Sequence, residues 1–388
     1  MKKPRIIAVH LLNDRSGSTL VLRQALEVLA EAGYAIDLLT ATPSAPGFLS
    51  DLPGATIHAL PYCWSARAWR TLLQFVLVQC LIFWRVLSLA SKDSIVYVNT
   101  LLPAGAALAA RCRGARVVYH LHEVSLRPTL LRRLLCAVAS RTAHRALYVS
   151  EHVRTALALP MPTARQTVVY NSLAPTFIAE ASRALLPLVS PERFVVLMAC
   201  SPRDYQGIPE FIALARNTPE LLFELVLNAP AKAVARYQNK FPTPDNLTLF
   251  PAVQNMHPHY QRAAVVVNLS RPNEWVETFG MTVLEAMSYG RPVIVPPVGD
   301  VGEVNVHTHT GFAIDGRNLG ALQQALRLLA GNSRRYVRMA TAARQRAAAF
   351  APSCFAEQVR QAFVAVRPLA APTTSRSVQP ALEYLAKV

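Results

Sequence analysis

Short runs of aliphatic and β-branched residues alternate along this chain with longer stretches of helical period. Arg5 to Leu12, Ala35 to Leu39, Thr56 to Leu60, Val96 to Thr100 and Val117 to Glu123 each read as a strand ending in polar or turn-forming residues. Thr19 to Ala32 has apolar residues on one helical face and Gly33 as its stop. A second series starts at Phe194 to Cys200 and continues through Asn246 to Phe250, Val265 to Leu269 and Val293 to Val295. Helices are predicted around Met256–Ala263, Leu319–Ala330, Arg334–Ala349 and Cys354–Val366. Strand–helix alternation of this kind predicts parallel, doubly wound sheets, and two series predict two such domains. Their expected extents are 1–175 and 193–350, with a proline-bearing linker over 176–192. A helix over 351–366 is expected to cross back to the first domain, and a loose Pro-, Ser- and Thr-rich tail to cover 367–388.

Two helical stretches carry an unusual pattern. Between Arg70 and Arg85 lie 14 residues without a charge, too few to span a bilayer and interrupted by Gln74 and Gln79. We read this run as a buried crossover helix, with an interfacial membrane helix as the alternative. From Pro128 to Arg145, Leu130, Leu131, Leu134 and Leu135 share a helix with Arg132, Arg133 and Arg141. That arrangement suits either a packed helix with solvated arginines or a peripheral membrane helix.

The stretch richest in chemistry is residues 270–303. A buried strand leads into a polar loop, Phe279-Gly280 opens a helix running to about Tyr289, and Gly290-Arg-Pro closes it. Glu277 falls in the loop at the strand's carboxyl end, where open α/β sheets bind ligands. The first N–H groups of the helix are unpaired and sit at the positive end of its dipole, a seat for phosphate. Glu285, about one and a half turns in, is placed to accept hydrogen bonds from a ribose diol. Spacing alone fits a solvated amphipathic helix equally well, because glutamate pairs are common.

The wording of the stretch is far more specific. Glu277-x7-Glu285, set within Ser-x-x-x-Glu-x-x-Glu-Thr-Phe-Gly-Met-Thr-x-Leu-Glu-Ala-Met-x-x-Gly-x-Pro-Val-Ile, resembles the signature of the family-4 retaining glycosyltransferases of GT-B fold. The resemblance covers about residues 5–366 and is strongest over 265–315. It implies two Rossmann-like domains facing across a cleft, with a nucleotide-diphospho-sugar on the C-terminal one as co-substrate and no cofactor or metal required. It implies Glu285 on the donor ribose, Glu277 against the donor sugar, and backbone donors from Phe279, Gly280, Met281 and Thr282. The resemblance puts His122, followed by the acid Glu123, on the acceptor side of the cleft, and makes His122 a candidate catalytic residue. Val298-Gly-Asp-Val-Gly-Glu303 resembles the glycine turn and Glu that follow the family's Pro-Val-Ile strand.

Two departures from the family pattern stand out. The turn after the first strand usually carries paired glycines facing the donor. Here Gly17 is alone between Ser16 and Ser18, which can still offer backbone and hydroxyl donors to a phosphate or acceptor. The loop after Cys200 usually supplies an Arg and, just before a glycine, a Lys for the diphosphate. Here Ser201 falls where the Arg lies and Gln206 where the Lys lies, leaving Arg203 as the nearest cation. A glutamine donates a hydrogen bond but no charge, so leaving-group stabilisation would be weaker.

Composition narrows the rest. The formal charge is +17, with 20 Lys/Arg against 9 Asp/Glu up to Leu185 and 20 against 14 beyond it. Such a surface favours anionic partners, and no nucleic-acid module accompanies it. Six scattered cysteines without a C-x-x-C pair read as thiols of a reducing compartment. His120 and His122 share a strand face, but no third ligand at a recognisable spacing joins them, so no metal site is assigned. No signal peptide is visible at the start. The expectation is a cytoplasmic retaining glycosyltransferase, peripheral on the inner membrane face, acting on a glycan or lipid-linked glycan in bacterial surface-polysaccharide assembly. A nucleotide-sugar epimerase of the same fold and a scaffold relative with impaired catalysis are the alternatives.

Overall fold

In a computed structural model of the chain, residues 3–41, 46–62, 68–124, 126, 128–186, 191–274 and 279–366 are described. The predicted tail over 367–388 and Glu277 lie outside them.

The first domain is built on β1 (Arg5–His10), α1 (Gly17–Glu31), β2 (Ala35–Ala41), β3 (Ala55–Leu60), α2 (Ala68–Leu89), β4 (Ile95–Asn99) and α3 (Ala104–Cys112). It continues with β5 (Arg116–Leu121), α4 (Thr129–Thr142), β6 (Arg145–Tyr148), α5 (Glu151–Leu157) and β7 (Gln166–Val168). These strands form one parallel sheet in the order β3-β2-β1-β4-β5-β6-β7. Then follow α6 (Pro175–Arg183), β8 (Val195–Cys200), α7 (Ile208–Arg216), β9 (Leu222–Leu227), α8 (Ala231–Lys240), β10 (Leu247–Phe250), α9 (His257–Arg262) and β11 (Val265–Val267). The chain goes on through α10 (Met281–Ser288), β12 (Val293–Val295), α11 (Val301–Val304), β13 (Gly311–Ala313), α12 (Leu319–Gly331), α13 (Ser333–Ala348) and α14 (Pro352–Val364). The second sheet, also parallel, has the order β10-β9-β8-β11-β12-β13.

Strands this apolar on both faces need helices on both sides, and each sheet is covered twice. Val117, Tyr119 and Leu121 of β5 face one layer with Val78, Ile82 and Ala107, while Val118 faces the other with Leu22, Leu26 and Phe363. The last contact belongs to α14, whose Phe355, Val359, Ala362 and Phe363 are buried in the first domain's core although the helix follows the second. Tyr97 meets Phe363 edge-on at 5.0 Å between ring centroids.

The carboxyl ends of the two sheets face each other. Ser150, just after β6, donates its hydroxyl to Asp300 Oδ2, just before α11, at 2.6 Å. Glu303 of α11 accepts from the N–H groups of Glu151 (3.0 Å) and His152 (2.7 Å) at the start of α5, and from the Tyr170 hydroxyl at 2.9 Å. A carboxylate is thereby set against a helix N-terminus, a charge-assisted pairing that fixes the two domains at one side of the cleft.

Three expectations need correction. The predicted linker over 176–192 contains α6, whose proline suits a first helical position and whose Phe177, Ile178 and Ala181 pack into the second domain's core. The helix after β1 starts at Gly17, two residues early, so Gly17 and Ser18 belong to its first turn and Ser16 is its N-cap. The run between Arg70 and Arg85 is not a buried crossover helix. Val78, Ile82 and Val86 of α2 are buried, but Leu73 and Leu77 are more than half exposed and Trp84 is 67% exposed. One helix can press only one stripe onto a sheet, and here the apolar residues encircle it.

Candidate active site

In an open α/β sheet the crevice forms where strand order reverses, because neighbouring strands there send their connections to opposite sides. In the second sheet that point lies between β8 and β11, and in the first between β1 and β4. The loops leaving these four strands hold most of the residues singled out by sequence.

The loop after β11 leads to α10. Gly280, its N-cap, has φ 70°, a left-handed conformation, and a Cβ there would lie 2.6 Å from Val301 Cγ1. Only glycine lets the chain turn into the helix at this point. Phe279 is buried against Tyr170 and Phe350, so its side chain anchors the turn and leaves the backbone at the helix tip available. Met281 and Thr282 are partly exposed, and first-turn N–H groups have no acceptor within their own helix.

Glu285 sits one turn further on, partly exposed between buried Leu284 and Ala286. Its Oε2 accepts the hydroxyl of Tyr260 at 2.5 Å. Burial pushes its carboxyl up to about 7, with the Tyr260 bond pulling in the opposite direction. Burial beside this carboxylate also raises Tyr260 well above the usual phenol range. Glu285 therefore stands half ionised near neutrality, with one oxygen pinned by Tyr260, and a pair of ribose hydroxyls would complete its shell.

The loop after β8 brings Gln206 to the same crevice. Its Oε1 accepts from the Ser270 hydroxyl at 3.0 Å, which orients the amide and leaves its NH2 free to donate. The next residue, Gly207, has φ 84° and caps α7, and a Cβ there would come within 2.2 Å of the Leu269 carbonyl oxygen. That close approach seats the start of α7 against the end of β11, so two helix starts, α7 and α10, converge on the crevice. Ser201 and Arg203 are exposed at the loop's rim. Arg203 lines an open pocket of about 530 Å³ with Asp204, Tyr205, Arg236, Tyr237 and Glu274.

On the opposite sheet the sequence-predicted residues meet through a hydrogen-bond chain. His122 Nε2 pairs with Asn99 Oδ1 at 2.9 Å, so it carries the proton, and Asn99 Nδ2 then donates to His10 Nδ1 at 3.1 Å. His10 Nε2 reaches Thr19 Oγ1 at 3.2 Å, and Thr19 donates to Asp14 Oδ1 at 2.9 Å. Asp14 also accepts the N–H of Ser16 at 3.0 Å, and Ser16 Oγ lies 3.1 Å from Thr19 Oγ1. The turn carrying Ser16, Gly17 and Ser18 is thus tied to His122 by buried polar contacts.

Burial lowers His10 to about 4 and drives His122 well below the usual imidazole range, with His120 and His10 nearby adding to the effect. His120, whose ring centroid is 4.5 Å from that of His122, is lowered to about 3 by burial and takes the Tyr97 hydroxyl on Nδ1 at 2.7 Å. The two oxygens of Glu123 accept the N–H groups of Leu101 and His122 at 3.3 Å each, and burial raises it to about 7. These bonds brace the loop after β4, where Thr100 has φ 72°.

Tyr260, Asn99, His10, Asp14 and Ser270 escaped sequence reasoning as site residues. Signals were present for Asn99 and His10, as polar ends of apolar strands, and for Ser270, as the first residue of the quoted signature. Among the described residues, no group of three His, Cys, Asp or Glu side chains gathers at metal-binding distances.

Comparison with known proteins agrees with this fold. Residues 15–176 match the family model described as Glycosyltransferase Family 4, and residues 192–346 match that described as Glycosyl transferases group 1. No curated protein sequence matches the chain. Among solved structures, Anabaena HepE in complex with UDP and glucose is 18% identical with a TM-score of 0.70, the match covering 92% of this chain and 99% of that one. Sucrose-phosphate synthase from Thermosynechococcus elongatus is 19% identical with a TM-score of 0.73, over 94% of this chain and 100% of the other. The lipopolysaccharide outer core galactosyltransferase WaaB in its apo form is 14% identical with a TM-score of 0.69, over 93% and 99%.

Proposed function

This chain belongs to the family-4-like glycosyltransferases of GT-B fold, and from that premise we propose that it moves a sugar from a nucleotide-diphospho-sugar to a glycan or lipid-linked glycan, with retention of configuration. The observation that carries this reading is Glu285, held by Tyr260 beside the start of α10 at the second sheet's switch point. The ribose diol pairs with Glu285. The diphosphate meets the N–H groups of Gly280, Met281 and Thr282 and the amide of Gln206, with Arg203 offering a cation from the same loop. Two helix dipoles and these donors take up the charge that develops on the leaving diphosphate, so the step needs no metal ion. The donor sugar projects toward Glu277 and the opposite domain.

The acceptor lies on the first domain, along Ser16, Gly17, Ser18 and His122. Because His122 is kept neutral with its Nε2 proton committed to Asn99, it orients an acceptor hydroxyl through Nδ1 and does not store that hydroxyl's proton. UDP-bound and UDP-glucose-bound forms of Anabaena HepE support a nucleotide-sugar as partner. Work at the cytoplasmic face of a membrane, in surface-polysaccharide assembly, fits the basic first domain.

A thermal-shift panel of nucleoside diphosphates and their sugars tests the reading, since a ligand that binds only the folded state stabilises it by mass action. At least one diphosphate should raise the melting temperature of the parent and lose that effect in Glu285→Ala. No stabilisation by any nucleotide, or equal stabilisation of parent and variant, would overturn it. A changed sugar nucleotide formed without acceptor would point to the epimerase instead.

A further inference from the structure

We propose that the helical layer α2–α3–α4 docks flat on an anionic lipid leaflet, with the outer face of α2 inserted among the acyl chains and the surrounding arginines on the headgroups. This deepens, and rests on, the reading of a lipid-linked acceptor. Three observations meet on one side of the first sheet. The outer faces of α2 and α4 are apolar and uncovered: Leu73, Leu77 and Trp84 of α2 are each more than half exposed, as are Leu130 and Leu134 of α4 at 78% and 60%, and Trp84 and Leu134 line one groove. Between the helices runs a groove of about 400 Å³ whose lining is almost wholly carbon, with Phe75, Phe83, Leu108 and Leu131 among its walls. Solvated faces of a soluble domain rarely expose so continuous an apolar surface.

The charge on these three helices has one sign. α2, α3 and α4 contain no Asp or Glu, and they carry Arg70, Arg85, Arg111, Arg132, Arg133 and Arg141. Of these, Arg70, Arg85, Arg111, Arg133 and Arg141 are exposed, and Arg132 is partly buried. Apolar helix faces whose own charged side chains are all arginines complement negative headgroups over hydrocarbon, whereas a protein partner would need matching acids. Trp84 has the amphipathic ring that favours the level between headgroup and chain.

Insertion is lateral and does not span the bilayer. By length and hydropathy the segment Arg70–Leu89 is apolar enough to cross a membrane. Its Val78, Ile82 and Val86 are nonetheless built into the domain core, and Gly105 of α3 packs so tightly on it that a Cβ there would lie 2.5 Å from the Gln79 carbonyl oxygen. The uncharged 14 residues between Arg70 and Arg85 extend only about 21 Å as helix, short of a hydrocarbon core of about 30 Å. Position adds the functional sense. α4 begins just beyond the loop carrying His122 and Glu123, so the docked face ends beside the acceptor edge of the cleft.

Co-sedimentation with vesicles of phosphatidylglycerol and phosphatidylcholine, beside vesicles of phosphatidylcholine alone, tests the proposal. The full chain should partition at least about ten-fold more strongly to the anionic vesicles, and tryptophan emission should shift to the blue in the parent but not in Trp84→Phe. The double variants Leu73→Asp/Leu77→Asp and Arg111→Glu/Arg133→Glu, all at exposed positions, should each lose at least about ten-fold of that binding. Equal partition of parent and variants, no vesicle binding, or a dimer in solution that the leucine variant converts to monomer would overturn the proposal, the last by showing a second copy on this face. Nucleoside-diphosphate stabilisation of the same preparations separates the two readings. Retained stabilisation without vesicle binding sinks the docking alone, and vesicle binding without any nucleotide stabilisation sinks the transfer reading alone.

Discussion

Removing one hydroxyl, in Tyr260→Phe, should make donor binding more dependent on alkaline pH. The Tyr260 hydroxyl donates to Glu285 Oε2 at 2.5 Å, and this bond favours the ionised acid. A hydrogen bond to a charged group is worth about 1.5–3 kcal/mol, which at 1.36 kcal/mol for each pKa unit corresponds to about one to two units. Glu285 already sits at about 7 because of burial, so the substitution carries it to about 8 or 9 on the same arithmetic. Only the carboxylate accepts from both ribose hydroxyls, and its population at pH 7 would fall about five- to fifty-fold. Since Glu285 is partly exposed, water replaces some of the lost bond and the lower figures are expected: about one unit and about five-fold. The assay is calorimetric titration of the best-binding nucleoside diphosphate from pH 6 to 9.5. Parent and variant should converge at the alkaline end and separate near neutrality. Superimposable profiles, or a constant offset at every pH, would refute the reasoning that Glu285 binds the donor as a carboxylate tuned by Tyr260.

Stability should carry the opposite mark of the same residue. A carboxyl whose folded value is raised to about 7 stabilises the fold fully below its ordinary range and loses that contribution as pH rises through about 7; the ligand-free Glu285→Gln variant should therefore gain stability relative to the parent between pH 5 and 8 in urea titrations, and parallel curves would contradict this. Gln206→Lys restores a cation beside the diphosphate seat and should raise the rate of nucleoside-diphosphate release from the nucleotide-sugar by about ten-fold or more, whereas an unchanged rate would remove Gln206 from the leaving-group environment. Asn99→Ala leaves the buried nitrogens of His122 and His10 and the carbonyl of Ser18 without their partner, and should cost about 2 kcal/mol or more of unfolding free energy; a loss below about 0.5 kcal/mol would show that the chain of polar contacts is not structural.

The parts of the site legible in the sequence are those fixed locally. Gly280, the α10 tip and Glu285 lie within one short turn and helix, and the Gln206-Gly207 turn lies within one loop, so spacing and residue type are enough to place them. What was hidden depends on partners brought together by the sheet. Tyr260 reaches Glu285 only because α9 and α10 pack on the same side of β11. The link from His122 to Asp14 needs β1, β4 and β5 side by side in register, which no local pattern reports. Burial of α2 was misjudged for a related reason: apolar residues on every side say that a helix avoids water but not which stripe the domain itself covers. The linker helix α6 was masked by its prolines, which read as breaks although one of them opens the helix. Glu123 also accepts the backbone N–H groups of Leu101 and His122, links that depend on β4 and β5 lying side by side and that no local pattern reports.

The central claim is that an activated sugar carried on a diphosphate is gripped at the start of α10. A crystal of this protein soaked with the nucleoside diphosphate that stabilises it most tests that claim directly. The account predicts the ribose hydroxyls on the Glu285 carboxylate and the phosphates against the N–H groups of Gly280, Met281 and Thr282, within reach of the Gln206 amide. A nucleotide lodged away from α10, or bound there with its ribose turned from Glu285, would contradict it.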